Sequence, residues 1–284
     1  MNAEASIPGE SSRVGWQAFL KLGFEKTASR TVLKDRQRFG PLSVQRAFYP
    51  EGDICHVYLL HPPGGVVGGD QLDIDITVKP QAKAFITTPG ATKFYLSAGS
   101  QAVQKQHLYV DDNALLEWMP QENIFFPGSQ VKTELRIDLQ NNARAVAWEI
   151  NCFGRPVINE QFDQGYIDTQ WKVYREGKPF LIERLRVDSE RINKLSQLNG
   201  QPVTGSLMIT NADKSLLESV RDIKVKQDPN ASDALACTLI EDVLMVRYLG
   251  SSTENARVYF TEAWKRCRES AMGQVFQLPR IWNT

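Results

Sequence analysis

The chain has 284 residues, and its 33 Lys and Arg residues equal its 33 Asp and Glu residues in number. This length provides a sizeable core, and the balanced charge lacks the basic surplus that marks nucleic-acid binders and proteins of membrane surfaces. Because no apolar stretch is long enough to span a bilayer, we expect a cytoplasmic protein that binds neither nucleic acid nor membrane.

The first distinctive segment in chain order is HPPGGVVGGD at residues 61–70, which follows predicted strands at 43–49 and 55–61. Its glycines, Gly64, Gly65, Gly68 and Gly69, permit backbone conformations and close approaches that other residues do not. A phosphate-binding glycine loop would open onto a helix. Here polar and apolar residues alternate over 71–78, which predicts a strand. The glycines are therefore predicted to let backbones crowd around a bend beside Asp70.

Short apolar or alternating segments continue along the chain and are typical of strands. They cover residues 82–88, 103–110, 114–119, 131–139, 143–152, 165–174, 180–187, 203–210, 234–240 and 243–249. Two segments instead have helical spacing, 213–225 and 253–272. Ser251, Ser252 or Thr253 is predicted to cap the second helix, and Trp264 and Trp282 are predicted to lie in the core.

The pattern predicts a mainly β protein with about two α-helices. No linker divides the chain, so we expect a single domain over residues 1–284, with a flexible polar segment at about residues 1–12. The strand count leaves two architectures open, a β-helix-like stack and a distorted sandwich, because period alone does not separate them.

Cysteine and histidine are sparse, with four and three residues. No C-x-x-C pair occurs, so neither a zinc module nor a disulfide framework is predicted. Cys55 and His56 are adjacent, but neighbouring strand residues point to opposite faces. We expect no tightly bound cofactor.

Paired carboxylates raise the possibility of acid–base catalysis. The pairs at residues 73/75, 111/112 and 241/242 lie on a polar strand face or in turns, where solvated carboxylates are common. No Ser/His/Asp spacing is present, and no catalytic residue is predicted. A carboxylate-dependent hydrolase on a β fold is the alternative function.

Several motifs together make the chain similar to a known family. They are TTPGATKFY at 87–95, EWMPQE at 117–122, GRP at 154–156, ERLR at 183–186, RYLG at 247–250 and PRIW at 279–282, besides the glycine-rich segment. From about residue 40 to 282 the chain resembles the UreD (also UreH) family of urease accessory proteins.

The resemblance implies a non-catalytic scaffold for nickel insertion into urease. Its partners would be a UreF-type protein, the GTPase UreG and the urease apoprotein, and Ni²⁺ would bind only transiently. The absence of a P-loop agrees with GTP hydrolysis in another chain.

The family is also thought to conduct nickel through an internal tunnel with acidic side chains. By motif position this role carries over to Asp70, Glu149, Glu183 and Asp213. Each has a structural alternative: Asp70 could cap a turn, Glu183 could pair with Arg184 or Arg186, and Asp213 could cap its helix. Glu149 interrupts an apolar run, where a buried charge needs a partner or water.

Overall fold

A computed structural model describes residues 15–224, 233–272 and 277–283. Its helices are α1 (Lys214–Arg221) and α2 (Thr253–Met272). Its strands are β1 (Gln17–Lys26), β2 (Thr31–Phe39), β3 (Ser43–Val44), β4 (Cys55–Leu60), β5 (Gln71–Val78), β6 (Lys83–Thr87), β7 (Thr92–Phe94), β8 (Ala102–Val110), β9 (Leu115–Trp118), β10 (Asn123–Phe125), β11 (Gln130–Leu139), β12 (Arg144–Phe153), β13 (Tyr166–Arg175), β14 (Lys178–Asp188), β15 (Val203–Thr210), β16 (Ala234–Ile240) and β17 (Val243–Gly250).

The strands form two sheets that face each other. The seven-stranded sheet has the order β14-β13-β11-β8-β5-β1-β2. The ten-stranded sheet has the order β16-β17-β15-β12-β9-β6-β4-β3, and in addition β10 pairs with β12 and β7 pairs with β10. From β4 to β13 the chain alternates between the sheets, and neighbouring strands from successive coils are parallel. This arrangement is a β-helix-like stack, so the structure selects one of the two architectures that the sequence left open.

The side chains between the two sheets form the main core, which we call the inter-sheet core. In β5 the alternation seen in the sequence sends Leu72, Ile74 and Ile76 into this core and leaves Asp73 and Asp75 exposed. The predicted strand after the glycine-rich segment is therefore confirmed, with the two carboxylates on its solvent face.

A second core lies on the outer face of the ten-stranded sheet, beneath the two helices. Because both faces of this sheet are covered, β12 is buried along nearly its whole length. Its odd-numbered side chains, such as Ala145 and Ala147, enter the inter-sheet core. Its even-numbered ones, such as Trp148 and Ile150, pack under the helices.

Both predicted helices are present. The side chain of Ser252 accepts a hydrogen bond from the backbone N–H of Asn255 at 3.1 Å, which makes it the cap of α2. Trp264 and Trp282 are buried in the second core, as predicted. The first predicted helix covers residues 213–225, but α1 ends at Arg221. Residues 222–224 are not helical, and residue 225 lies outside the described residues. In the described part of the chain, neither helix combines the length and apolar character needed to cross a membrane.

Strands β1, β2, β7 and β10 were not predicted from the sequence. In β1, Phe19 and Gly23 occupy the outer face and interrupt the polar–apolar alternation. β2 is mostly exposed and rich in charge, as edge strands often are, and the other two are three residues long. The predicted flexible segment at residues 1–12 lies outside the described residues, and the extent of the domain stays a prediction.

Candidate functional site

Polar side chains form a layer across the otherwise apolar inter-sheet core. Glu149 and Asn151 of β12 point into it from the ten-stranded sheet. Gln104 of β8 and Thr133 of β11, which are paired in register, face them from the seven-stranded sheet, and Thr169 of β13 pairs with Thr133. Polar groups in such an interior need partners or water. The Oε1 atom of Gln104 and the Oγ1 atom of Thr133 are buried without a hydrogen-bond partner among the described residues.

A cavity of about 640 Å³ opens at one end of this layer. We call it the glutamate cavity, because Glu149 and Glu183 both line it. Asn151, Trp171 and Arg247 are among its other lining residues. Glu183 lies on β14 opposite Trp171 of β13, whose side chain belongs to the inter-sheet core. The structure therefore brings together two of the four acidic residues that the sequence singled out.

Glu149 is a carboxylate held by amide groups. Its Oε1 accepts a hydrogen bond of 2.8 Å from the side-chain N–H of Asn151, and the Oδ1 of Asn151 accepts one of 3.0 Å from Asn123. Burial raises the pKa of Glu149, and contacts with Asn151 and Trp171 offset this only in part. No Lys, Arg or His of the described residues forms an ion pair with it. Its negative charge is thus uncompensated when the carboxyl is ionised.

Glu183 is held differently, by an ion pair with Arg247 of β17. Arg184 and Arg186 are the partners expected from the sequence as a structural alternative. Both of these guanidinium groups instead approach Asp168, Arg184 at 2.5 Å and Arg186 at 3.8 Å, because they lie on the outer face of the sheet and Glu183 on the inner face. The glutamate cavity therefore has one carboxylate beside a cation and one without.

Two further cavities continue from the glutamate cavity toward the glycine-rich segment. A narrow cavity of about 50 Å³ is lined by Glu149, Asn123, Gln104 and His61. A surface cavity of about 250 Å³ is lined by His61 again, together with Gly64 and Gly65. Burial lowers the pKa of His61, although the charge of Asp70 acts in the opposite direction. Shared lining residues thus connect the glycine-rich segment with Glu149 and Glu183.

The glycines allow close backbone approach at this end of the molecule. A Cβ atom on Gly65 would lie 2.6 Å from the backbone oxygen of Lys93. A Cβ atom on Gly68 would lie 2.6 Å from that of Ser100. Gly69 has a φ of 95°, a backbone conformation that residues with a side chain rarely adopt. Gly64 has no neighbouring atom within contact distance of the position that a Cβ atom would occupy and so is not required by close packing. The segment is a bend packed against β7 and the loop that follows it.

Asp70 is buried at the end of this bend and accepts backbone hydrogen bonds with both carboxylate oxygens. The donors are the N–H of Trp16 at 2.8 Å and that of Val67 at 3.0 Å. Asp213 is exposed, and its side chain accepts a hydrogen bond of 2.8 Å from the N–H of Leu216 as the N-cap of α1. Neither residue lines the glutamate cavity.

The adjacent residues Cys55 and His56 point to opposite faces of β4, as predicted for a strand. Within residues 15–224, 233–272 and 277–283, no three His, Cys, Asp or Glu side chains converge as a metal-binding group. The oxygen-rich glutamate cavity can stabilise a cation through Glu149, whose charge is not already paired. It can also transfer protons at Glu149, because the pKa of this residue is raised.

Sequence reasoning missed Asn151, Gln104 and Arg247 as parts of the site. Asn151 lies two residues after Glu149 and so shares its strand face, a signal that the alternation rule contains. Gln104 likewise precedes apolar Leu108 and Val110 on the inner face of β8. Arg247 was part of a recognised motif, but its pairing with Glu183 depends on the stacking of β14 over β17, which the sequence does not reveal.

A second buried carboxylate lies on the other face of the ten-stranded sheet. Glu117 of β9 is fully buried and accepts hydrogen bonds from the indole of Trp264 at 2.6 Å and from Arg268 at 2.8 Å. Arg268 also contacts Glu51 at 2.5 Å, and His56 lies 3.0 Å from Glu51. Burial disfavours the charge of Arg268, but Glu117 and Glu51 outweigh it and raise the pKa. This cluster fastens α2 to the sheet.

Comparisons with known proteins agree with the motifs. A family model described as UreD urease accessory protein matches residues 17–283. A urease accessory protein UreD of Alcanivorax borkumensis is 46% identical over 275 residues, which cover 95% of this chain and 93% of the relative. Proteins of the same name from Aliivibrio fischeri and Escherichia coli are 42% and 43% identical, over 96% and 95% of this chain and 98% of each relative. The chain belongs to the UreD family of urease accessory proteins.

Proposed function

We propose that this chain is required for the insertion of nickel into urease, and that it acts in the cytoplasm with a UreF-type protein, a UreG-type GTPase and the urease apoprotein. Membership of the UreD family supports the role in urease maturation. The sequence contains no P-loop, so GTP hydrolysis is assigned to the partner. In this proposal the chain is a maturation factor and catalyses no reaction itself.

The observation that carries the nickel role is that Glu149 and Glu183 line one cavity. Carboxylate and amide oxygens bind Ni²⁺ less tightly than imidazole or thiolate groups do. Transport requires sites that attract an ion and also release it. A buried carboxylate beside amide groups meets both conditions, because it supplies a charge without a complete ligand set. Nickel is thus a transient cargo here, with no cofactor tightly bound.

The three cavities share lining residues, which supports an order of contacts along the path. Nickel would meet Glu183 where Arg247 pairs with it, pass Glu149, and continue through the narrow cavity to His61 and the surface cavity. Arg247 must turn away from Glu183 before a divalent cation can bind there, since two cations repel each other at close range. The proposal rests on these glutamates. Roles for Asp70 and Asp213 stay predictions, because both carboxylates accept backbone hydrogen bonds.

Replacing each glutamate by glutamine tests the proposal. Urease is expressed with its accessory proteins and either the native chain, Glu149→Gln or Glu183→Gln, and the nickel content of purified urease is measured by mass spectrometry. We expect each substitution to lower the nickel content and the double substitution to lower it further. Co-purification of the chain with urease and the partners should not change, because Glu149 is buried and Glu183 faces the glutamate cavity.

Glu190→Gln is the matched control, since Glu190 is exposed and outside the glutamate cavity. Native nickel content in the double variant would contradict the path, while the role in maturation would still be tested by deleting the chain. Asp213→Ala in the same assay tests whether that residue contributes more than a helix cap.

One observation favours a second candidate, a carboxylate-dependent hydrolase. Glu149, whose pKa is raised, and Glu183 line the same cavity, as an acid and a base would. Family membership favours the maturation role. Hydrolysis of chromogenic glycosides by the purified chain, lost in both glutamine variants, would support the hydrolase instead.

A further inference from the structure

A basic groove lies at the end of the stack where β2 and β3 form the edges of their sheets. It measures about 580 Å³ and runs between β2 and the segment that follows β3. We call it the edge groove. Its lining includes four cationic residues, Arg30, Lys34, Arg36 and Arg46, and none of the described residues that line it is acidic. This concentration of one sign stands out in a chain whose charges balance.

An irregularity in β2 produces this separation of charge. The pairing of β1 with β2 shifts between Gly23 and Phe24, so that Lys34 is an extra residue in β2. Beyond the shift, Arg36 lies opposite buried Leu22, on the face that looks toward the groove. Asp35 lies against Gly23 on the other face. If the pairing continued without this shift, Asp35 and not Arg36 would lie opposite Leu22 and face the groove, since a one-residue shift exchanges the faces of a strand.

The four cations have no acidic partner among the described residues, since none forms an ion pair within 4.0 Å. Arg30 is held in place by an aromatic ring, with its guanidinium carbon 4.0 Å from the centre of the Tyr49 ring. The floor of the groove is apolar and includes Leu33, Ala47 and Tyr49, which pack against the inter-sheet core. A ligand would therefore meet cationic sides and an apolar floor.

The outer edge of β2 is also open. β2 ends the order of the seven-stranded sheet and pairs only with β1 in the part of the chain that the structure describes. Near its start this edge is occupied, because the N–H of Thr31 donates to the backbone oxygen of Asp53 at 3.0 Å and the backbone of Leu33 contacts the Cys55 thiol. From Lys34 to Phe39 the outward N–H and C=O groups have no backbone partner among the described residues and are available to a further strand. Edge charges ordinarily discourage pairing with chains of like charge. They do not repel a segment of opposite charge, which gains from each cation it meets.

We propose that the edge groove binds an extended acidic segment of a partner protein, which adds to β2 as a further strand. Its apolar side chains pack on the floor, and its carboxylates face Arg30, Lys34, Arg36 and Arg46. This interface is at the opposite edge of the seven-stranded sheet from β14 and the glutamate cavity. The inference does not depend on the proposed nickel path.

The test uses the purified full chain and a fluorescent eight-residue peptide, Glu-Glu-Val-Val repeated twice, which presents both Glu and Val on each face of an added strand. We expect saturable binding in fluorescence anisotropy, weakened by added salt because charges are screened. The double substitution Arg36→Glu with Arg46→Glu should weaken binding at least about tenfold. The matched control is Lys105→Glu with Lys194→Glu, two exposed cations outside the groove, and it should bind like the native chain.

Three comparisons decide between strand addition and other binding. A Lys and Val peptide should not bind, and a Glu and Val peptide interrupted by two prolines should bind at least about tenfold more weakly, because proline lacks the N–H that pairs with β2. Equal weakening by both double substitutions would overturn the proposal. So would binding of inorganic tripolyphosphate, sensitive to the groove substitutions, without binding of the acidic peptide. If the Glu variant does not fold, Arg36→Gln with Arg46→Gln replaces it.

Discussion

Two buried glutamates on opposite faces of the ten-stranded sheet have opposite environments. Glu117, under α2, is fully buried and is held by Arg268 and Trp264. Glu149, between the sheets, is 8% exposed and has Asn151 as its hydrogen-bond donor, with no cation beside it among the described residues. One carboxylate has its charge balanced by the protein, and the other does not.

This difference in charge compensation means that one glutamate contributes to stability and the other is suited to binding a cation. An ion pair that is already complete has no capacity for a further cation, and breaking it leaves a buried charge uncompensated. A carboxylate that lacks a cation destabilises the fold when ionised, but it can bind a cation that arrives from outside. We therefore expect substitutions at the two glutamates to affect different properties of the protein.

The largest expected effect on stability is at Arg268. Arg268→Met should lower the free energy of unfolding by about 3–5 kcal/mol, because it leaves Glu117 and Glu51 buried without their cation. Urea unfolding followed by circular dichroism measures this. Adding Glu117→Gln to the same chain should recover part of the loss, since the uncompensated charge is then removed.

The control for Arg268 is Arg221→Met, which breaks an exposed ion pair with Glu218. It should change the free energy of unfolding by no more than about 0.5 kcal/mol. Equal effects at the two arginines would refute the idea that burial gives the Glu117 cluster its importance.

A smaller effect on the free energy of unfolding is expected at Asp213, whose carboxylate accepts a hydrogen bond from a backbone N–H. Asp213→Ala should lower the free energy of unfolding by about 1 kcal/mol, because α1 loses its N-cap. The same urea unfolding experiment applies, and Asp213→Asn should retain most of the native stability because asparagine also caps helices. A larger loss in the Asn variant than in the Ala variant would rule out the cap as the explanation.

The smallest effect on the free energy of unfolding at acidic pH is expected for Glu149→Gln. This effect should depend on pH, because the pKa of Glu149 is raised. The folded-state pKa of Glu149 lies above the ordinary value of 4.5, so the native chain loses stability as the pH rises from that value through the folded-state pKa. Glu149→Gln cannot ionise and escapes this loss. Urea unfolding at about pH 5 and pH 8 should therefore show the Gln variant gaining stability relative to the native chain at the higher pH. A constant difference would mean that Glu149 has an ordinary pKa.

The sequence predicted most strands of the stack because their alternation reflects burial on one face, as in β5. It did not predict β2, whose residues are exposed and charged. It also did not select the β-helix-like stack, because the parallel pairing of β5 with β8 joins residues about thirty positions apart and leaves no local pattern.

For the site, the motifs and one buried acid within an apolar run were sufficient to single out Glu149 and Glu183. The proximity of these residues depends on the stacking of β12, β13 and β14, which only the structure provides. The hydrogen bonds of Asp70 and Asp213 matched the structural alternatives for both residues. Local capping is readable from a sequence, whereas the convergence of distant strands is not.

Strand β12 separates two chemically different compartments, so its register determines which side chains enter each of them. A slip of one residue would turn Glu149 under the helices and move Trp148 or Ile150 into the glutamate cavity. The short strand β10 opposes such a slip, because Asn123 pairs with Asn151 in the backbone ladder and also donates a side-chain hydrogen bond to it. The asparagines at positions 123 and 151 thus help to fix the register of β12 that directs Glu149 into the inter-sheet core.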